Sequence, residues 1–142
     1  VLLRAEQKQS PRIQRPFRSE LRRSKMWTVV TELVEDWLET LDSESHQQVV
    51  AALEILEEAG PQLGRPLVDT ISGSKFRNMK ELRPGSAGES ELRILFVFDP
   101  ARSAVLLVAG DKKGHWRSWY RNAILIAERR YELYLERLQR RR

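Results

Sequence analysis

Glu91-Leu92-Arg93-Ile94-Leu95-Phe96-Val97-Phe98 carries the clearest structural signal in the chain. Its β-branched and aromatic residues suit a strand. Period-two alternation puts Leu92, Ile94, Phe96 and Phe98 on one face and Glu91, Arg93, Leu95 and Val97 on the other. Arg93 is the odd residue on its face. Two further strands flank this one, Phe76 to Arg83 before it and Ala104 to Ala109 after it. The connections, Pro84-Gly85-Ser86-Ala87-Gly88 and Asp99-Pro100-Ala101-Arg102, are short and turn-like, so the three strands form an antiparallel meander. Downstream, Tyr120, Ile124, Ala127, Tyr131, Tyr134 and Leu138 recur at spacings of four and three, the stripe of a helix packed back on the sheet.

Upstream the period is helical. Val34, Trp37, Leu38 and Leu41 fall at i, i+3, i+4 and i+7, on the face opposite most of Glu32, Glu35, Asp36 and Glu39. Asp42 or Ser43 then caps a second helix that turns Val49, Val50, Leu53 and Leu56 inward and stops at Gly60-Pro61. A short strand around Trp27 to Thr31 precedes this acidic hairpin, and Gln62 to Ser74 reads as an extended connection after it. The order strand, two helices, three strands, helix gives an α+β fold: a small antiparallel sheet with an N-terminal helical hairpin and a C-terminal helix. Residues 1–25 show no core periodicity, with breaks at Pro11, Pro16 and Ser24, and read as a flexible basic extension before a compact domain over 26–142.

The net charge of +5 is unevenly spread. Residues 1–25 hold eight Lys/Arg against two Glu, residues 26–72 one Arg against ten acids, and residues 73–142 sixteen Lys/Arg against eight acids. A polarised body with a basic half draws in polyanions by long-range attraction and counterion release, which makes nucleic acid the leading partner class. Without Cys there is no disulfide framework, thiolate metal site or thiol nucleophile, and a reducing cytoplasm is the expected setting. No run approaches the ~18 apolar residues of a membrane span, and the basic start lacks the apolar core of a secretory signal. The two histidines, His46 and His115, are far apart in sequence, and no phosphate-binding loop is present, so neither a metal nor another cofactor is expected.

What remains is a set of bases on and around the expected sheet: Lys75, Arg77, Lys80, Arg83, Arg93, Lys112 and Lys113, then His115, Arg117, Tyr120 and Arg121 at the start of the last helix. Such a set binds a phosphate backbone. It also suits metal-free RNA cleavage, because the 2′-hydroxyl is an internal nucleophile. Arg stabilises the phosphorane, while Lys or Tyr handles proton traffic to the leaving 5′-oxygen.

The segments Asn78-Met79-Lys80-Glu81-Leu82-Arg83-Pro84-Gly85, Glu91 to Phe96, Gly110-Asp111-Lys112-Lys113-Gly114-His115-Trp116 and Trp119-Tyr120, in this order, resemble the HigB/RelE-type toxins of the RelE/ParE superfamily, in its phage-derived Gp49-like group. The likeness covers about residues 27 to 138. It implies a microbial-ribonuclease-like sheet with its active surface on an open face, metal-independent cleavage of messenger RNA in the ribosomal A site, and neutralisation by a helix-turn-helix, HigA-like antitoxin. Position by position, Arg93 matches the strand arginine that contacts the scissile phosphate, Lys80 a basic position on the preceding strand, and Lys112 a lysine after the last strand. Tyr120 is placed to stack on a base or relay a proton. A salt bridge from Arg93 to Glu81 or Glu91 is the competing use of that arginine. Some relatives use histidines around the active surface and this chain offers only His115 near that region, so the general base is unassigned; Leu125 stands where relatives often have proline, so the last helix is expected to run on. The alternatives are a ParE-like gyrase inhibitor, which shares the fold, and a non-catalytic nucleic-acid-binding regulatory module.

Overall fold

The computed structural model describes residues 26–85 and 90–141; the N-terminal extension therefore lies outside the described residues. Strand β1 (Thr28–Val30) leads through a 3-10 turn (Glu32–Val34) into α1 (Glu35–Glu39) and α2 (Ser43–Ala59). Then come β2 (Val68–Thr70), β3 (Lys80–Leu82), β4 (Leu92–Phe98), β5 (Ser103–Asp111) and α3 (Trp116–Arg140). The α+β class is as the sequence indicates.

The five strands form one sheet in the order β1-β5-β4-β3-β2. The antiparallel meander β3-β4-β5 is present, and two strands extend it. β2 pairs antiparallel with β3, and β1 pairs parallel with β5, so the sheet is mixed. β2 lies inside the segment expected to be an extended connection. The strand expected over Phe76 to Arg83 shortens to Lys80–Leu82, because Met79 N–H bonds back to the Phe76 carbonyl at 3.1 Å and turns the chain before it joins the sheet.

Each face of the sheet is covered. On one side Val34, Val49, Ala52 and Leu56 of the hairpin meet Leu82, Leu92, Ile94, Phe96, Ala104 and Leu106. The other side packs Leu95, Val97, Val105 and Leu107 against Ala123, Ala127 and Tyr131 of α3. The alternation expected in β4 is therefore realised residue by residue. In α2, Ala52 takes the inward place expected for Val50, which is 38% exposed. Asp42 is the cap, its carboxylate accepting Ser45 N–H at 2.7 Å, and the helix ends at Gly60 with φ +60°. Any Cβ at Gly60 would run into the Trp27 indole 2.4 Å away. A register shift in the β4–β5 ladder skips Leu107, and Arg130 of α3 donates to the Leu107 carbonyl at 2.7 Å. α3 runs unbroken past Leu125, as the missing proline indicates.

Candidate active site

The pleat decides which bases meet. Glu81 of β3 is registered with Leu95 of β4, and Arg93 of β4 with Gly110 of β5, so Glu81 and Arg93 both face α3. Lys80 is registered with Phe96, a residue of the hairpin-side core, and therefore points to the opposite face. The structure separates Lys80 from Arg93, a correction to the grouping expected from sequence. The cause is non-local: the pairing with β4 sets which of Lys80 and Glu81 faces α3.

Under the first turns of α3 lies a polar cluster centred on Glu81, which is 3% exposed. Tyr120 donates its hydroxyl to Glu81 Oε1 at 2.5 Å, Arg83 donates to Oε2 through Nε at 3.1 Å and Nη2 at 2.9 Å, and Arg93 Nε stands 3.8 Å from Oε1. Arg93 is also fixed by donation from Nη1 to the Leu92 carbonyl at 2.7 Å, while its buried Nε has no hydrogen-bond partner. The pairing of Arg93 with Glu81 is thus real, and it leaves the guanidinium donor capacity to spare. Glu91 pairs elsewhere, with Lys112 at 3.5 Å.

Burial pushes the Tyr120 phenol up to about 12, helped by Glu81 and opposed by Arg93. The hydroxyl thus keeps its proton far above neutral pH and acts there as a donor. Arg83 is held above its ordinary value: burial works against its charge, and Glu81 and Asp69 outweigh it. Asp69, bonded by Arg83 at 3.1 Å, is lowered by its hydrogen bond to Arg65 first and the Thr70 N–H second.

Lys112 joins the cluster from the end of β5. Asp111 accepts the N–H groups of Glu91 at 2.9 Å and Lys113 at 3.0 Å, and Lys112 N–H bonds the Glu91 carbonyl at 3.0 Å. This clasp brings the Lys112 ammonium over the Tyr120 ring, 5.9 Å from its centre. Gly110 makes room for the next layer, since a Cβ there would come within 2.5 Å of Trp119 Nε1. That glycine opposite Arg93 is a signal the sequence reading passed over, as are Glu81 as the hub and Asp69 on β2.

The remaining bases divide. Lys113 and His115 just before α3, and Arg117 and Arg121 in its first turns, are exposed. Lys75 is instead held by Glu132, with its backbone N–H on Glu128 at 2.7 Å, farther along α3. Arg77 is exposed in the turn before β3. The cluster therefore lies at one end of a sheet whose two faces are both covered, by the hairpin on one side and α3 on the other.

A family model described as phage-derived protein Gp49-like (DUF891) matches residues 36–132, a span that holds every one of these side chains. The chain belongs to this family. Within it, this Gp49-like domain is HigB-type. It is 54% identical over 112 residues to the protein described as "Putative toxin HigB2" of Mycobacterium tuberculosis (strain ATCC 25618 / H37Rv), a match covering 79% of this chain. That match covers 54% of the relative, so the Gp49-like chain spans about half its length. It is 50% identical over 110 residues to "Putative toxin HigB3" of the same strain, covering 78% of this chain and 94% of that one. No solved structure matches the Gp49-like chain significantly. Among the described residues no helix is long and apolar enough to cross a membrane.

Proposed function

We propose that this chain is the toxin of a toxin-antitoxin pair and that its domain, from Met26 onward, cuts messenger RNA at the ribosome without a metal ion. The observation that carries this reading is the convergence of Arg93, Arg83, Tyr120 and Lys112 at one end of a HigB-type domain. In the proposed reaction the 2′-oxygen attacks phosphorus, its proton passes to water, and the bond from phosphorus to the 5′-oxygen breaks. Arg93 and Arg83 stabilise the charge gathering on the phosphorane. Tyr120, protonated at neutral pH, turns its hydroxyl from Glu81 to the leaving 5′-oxygen, gives it the proton and regains one from water. Lys112 holds an adjoining phosphate, and the exposed rim of Lys113, His115, Arg117 and Arg121 steers the strand toward it. Glu81 aligns Arg93 and Tyr120. The partner that restrains the activity is a cognate helix-turn-helix antitoxin, and the setting is the cytoplasm, where ribosomes are.

Cleavage on translating ribosomes tests the reading. The wild-type chain is expected to cut messenger RNA in the presence of a transition-metal chelator, leaving a 2′,3′-cyclic phosphate or 3′-phosphate, and Arg93→Ala is expected to remain folded and inactive. Products ending in a 3′-hydroxyl, or a folded Arg93→Ala protein that is still fully toxic, would overturn it.

A further inference from the structure

Beside the Glu81 cluster, between the first half of α3 and the β2–β3 edge, a cleft of about 370 Å³ opens to solvent. Trp116 and Tyr120 line it from α3, Asp69, Thr70 and Ser72 from the β2 side, and Glu81 and Arg83 from β3 and its end. Trp116 is 52% exposed, unlike the aromatic rings that build the two cores. It is the first residue of α3, and its ring contact is with the exposed Arg117 guanidinium, 5.2 Å from the ring centre. A large indole left half in solvent at the mouth of a polar cleft adds little to the fold.

We propose that this cleft is a nucleobase subsite, in which one base of single-stranded RNA stacks on Trp116 next to the phosphate held by Arg83 and Arg93. The inference takes its ligand class from the nuclease reading above and adds to it the residue that seats a base. Three features fit together. An exposed indole offers a stacking face to any base. The opposite wall, with Ser72 exposed beside the Asp69 carboxylate, offers hydrogen-bonding groups to a base edge. Arg83, which lines the cleft, donates to Glu81, the same carboxylate that Tyr120 and Arg93 meet, so a base in the cleft and a phosphate at the cluster are neighbours on one strand.

The test uses two short 2′-O-methyl oligoribonucleotides that resist cleavage, of equal length and charge, one carrying bases and the other abasic. Binding is followed by the indole N–H signals of the full chain, with that of Trp116 assigned from its loss in Trp116→Phe. The base-carrying strand is expected to shift the Trp116 signal and to bind about tenfold more tightly than the abasic one, in keeping with the worth of one stacked base. Trp116→Ala should remove that difference, and Trp116→Phe should keep most of it. An unmoved Trp116 signal, equal affinity for the two strands, or a base preference that survives in Trp116→Ala would each overturn the subsite. Because the ring is half exposed, Trp116→Ala is expected to fold, which circular dichroism checks, and Trp116→Phe preserves the ring if it does not. Failure of the nuclease reading looks different: the base-dependent shift would be present while wild-type protein left ribosome-bound messenger RNA intact.

Discussion

Two tyrosines about four turns apart on the same face of α3 do the same thing at opposite ends of the sheet. Tyr120 donates to the buried carboxylate of Glu81 at 2.5 Å, and Tyr134 donates to the buried carboxylate of Asp99 at 2.7 Å. Burial is the main cause pushing each phenol up to about 12, with the carboxylate adding to it. Their surroundings differ. Asp99 spends its other oxygen on the backbone N–H groups of Ala101 at 2.9 Å and Ser103 at 2.8 Å, closing the β4–β5 turn. Glu81 is instead met by Arg83 and Arg93 and lines a cleft open to solvent. A perturbed tyrosine therefore does not mark a site by itself. Cations with donors to spare next to open space do.

Paired substitutions sharpen that contrast. Tyr120→Phe is expected to slow cleavage on ribosomes by about 100-fold or more, the usual worth of a positioned acid. Tyr134→Phe should leave the cleavage rate intact and cost about 1–2 kcal/mol of stability in denaturant melts, through a lost hydrogen bond to a buried carboxylate. Equal effects of the two changes on cleavage would erase the distinction between the two ends. A smaller effect is shared by both tyrosines. In the unfolded chain the phenols lose their protons near 10, in the fold near 12, so between these values the native state binds more protons. Their contribution to stability is complete below pH 10 and is lost as pH rises through about 12. Denaturant midpoints at about pH 9 and about pH 11 should show this fall, and it should flatten in the double variant with Phe at both positions.

The same contrast explains what the sequence could disclose. Helix periodicity and the alternation in β4 are local, and they correctly put Tyr120, Tyr131 and Tyr134 on one stripe and left Arg93 alone on its face. β2 was not legible, because three residues between Gly64, Pro66 and Gly73 carry no alternation to read. Yet β2 supplies Asp69, whose registration with Glu81 builds one wall of the site. The parallel pairing of β1 with β5 joins segments far apart in the chain and leaves no local pattern. Arg93 was legible as an exception to a pattern. Glu81 was not legible as a hub, since an acid between Lys80 and Leu82 is an ordinary strand residue until register decides its face.

The smallest expected effect comes from that same register. Lys80 and Glu81 are adjacent in sequence, but the pleat sends them to opposite sides of the sheet, Lys80 with Phe96 toward the hairpin and Glu81 with Leu95 toward α3. A lysine there cannot touch a phosphate held by Arg93 without reversing the strand, because a one-residue slip would also drive Leu82 out of the core, where it is fully buried. Lys80→Ala is therefore expected to leave cleavage almost unchanged and to alter stability by no more than about 0.5 kcal/mol, as is usual for a partly exposed residue away from caps and buried pairs. The comparison with Arg93→Ala in one ribosome assay is decisive, since both changes remove one positive charge from neighbouring strands. If Lys80→Ala silenced the toxin as Arg93→Ala is expected to, overall charge would outweigh geometry, or the reacting phosphate would have to lie on the hairpin side of the sheet instead of under α3.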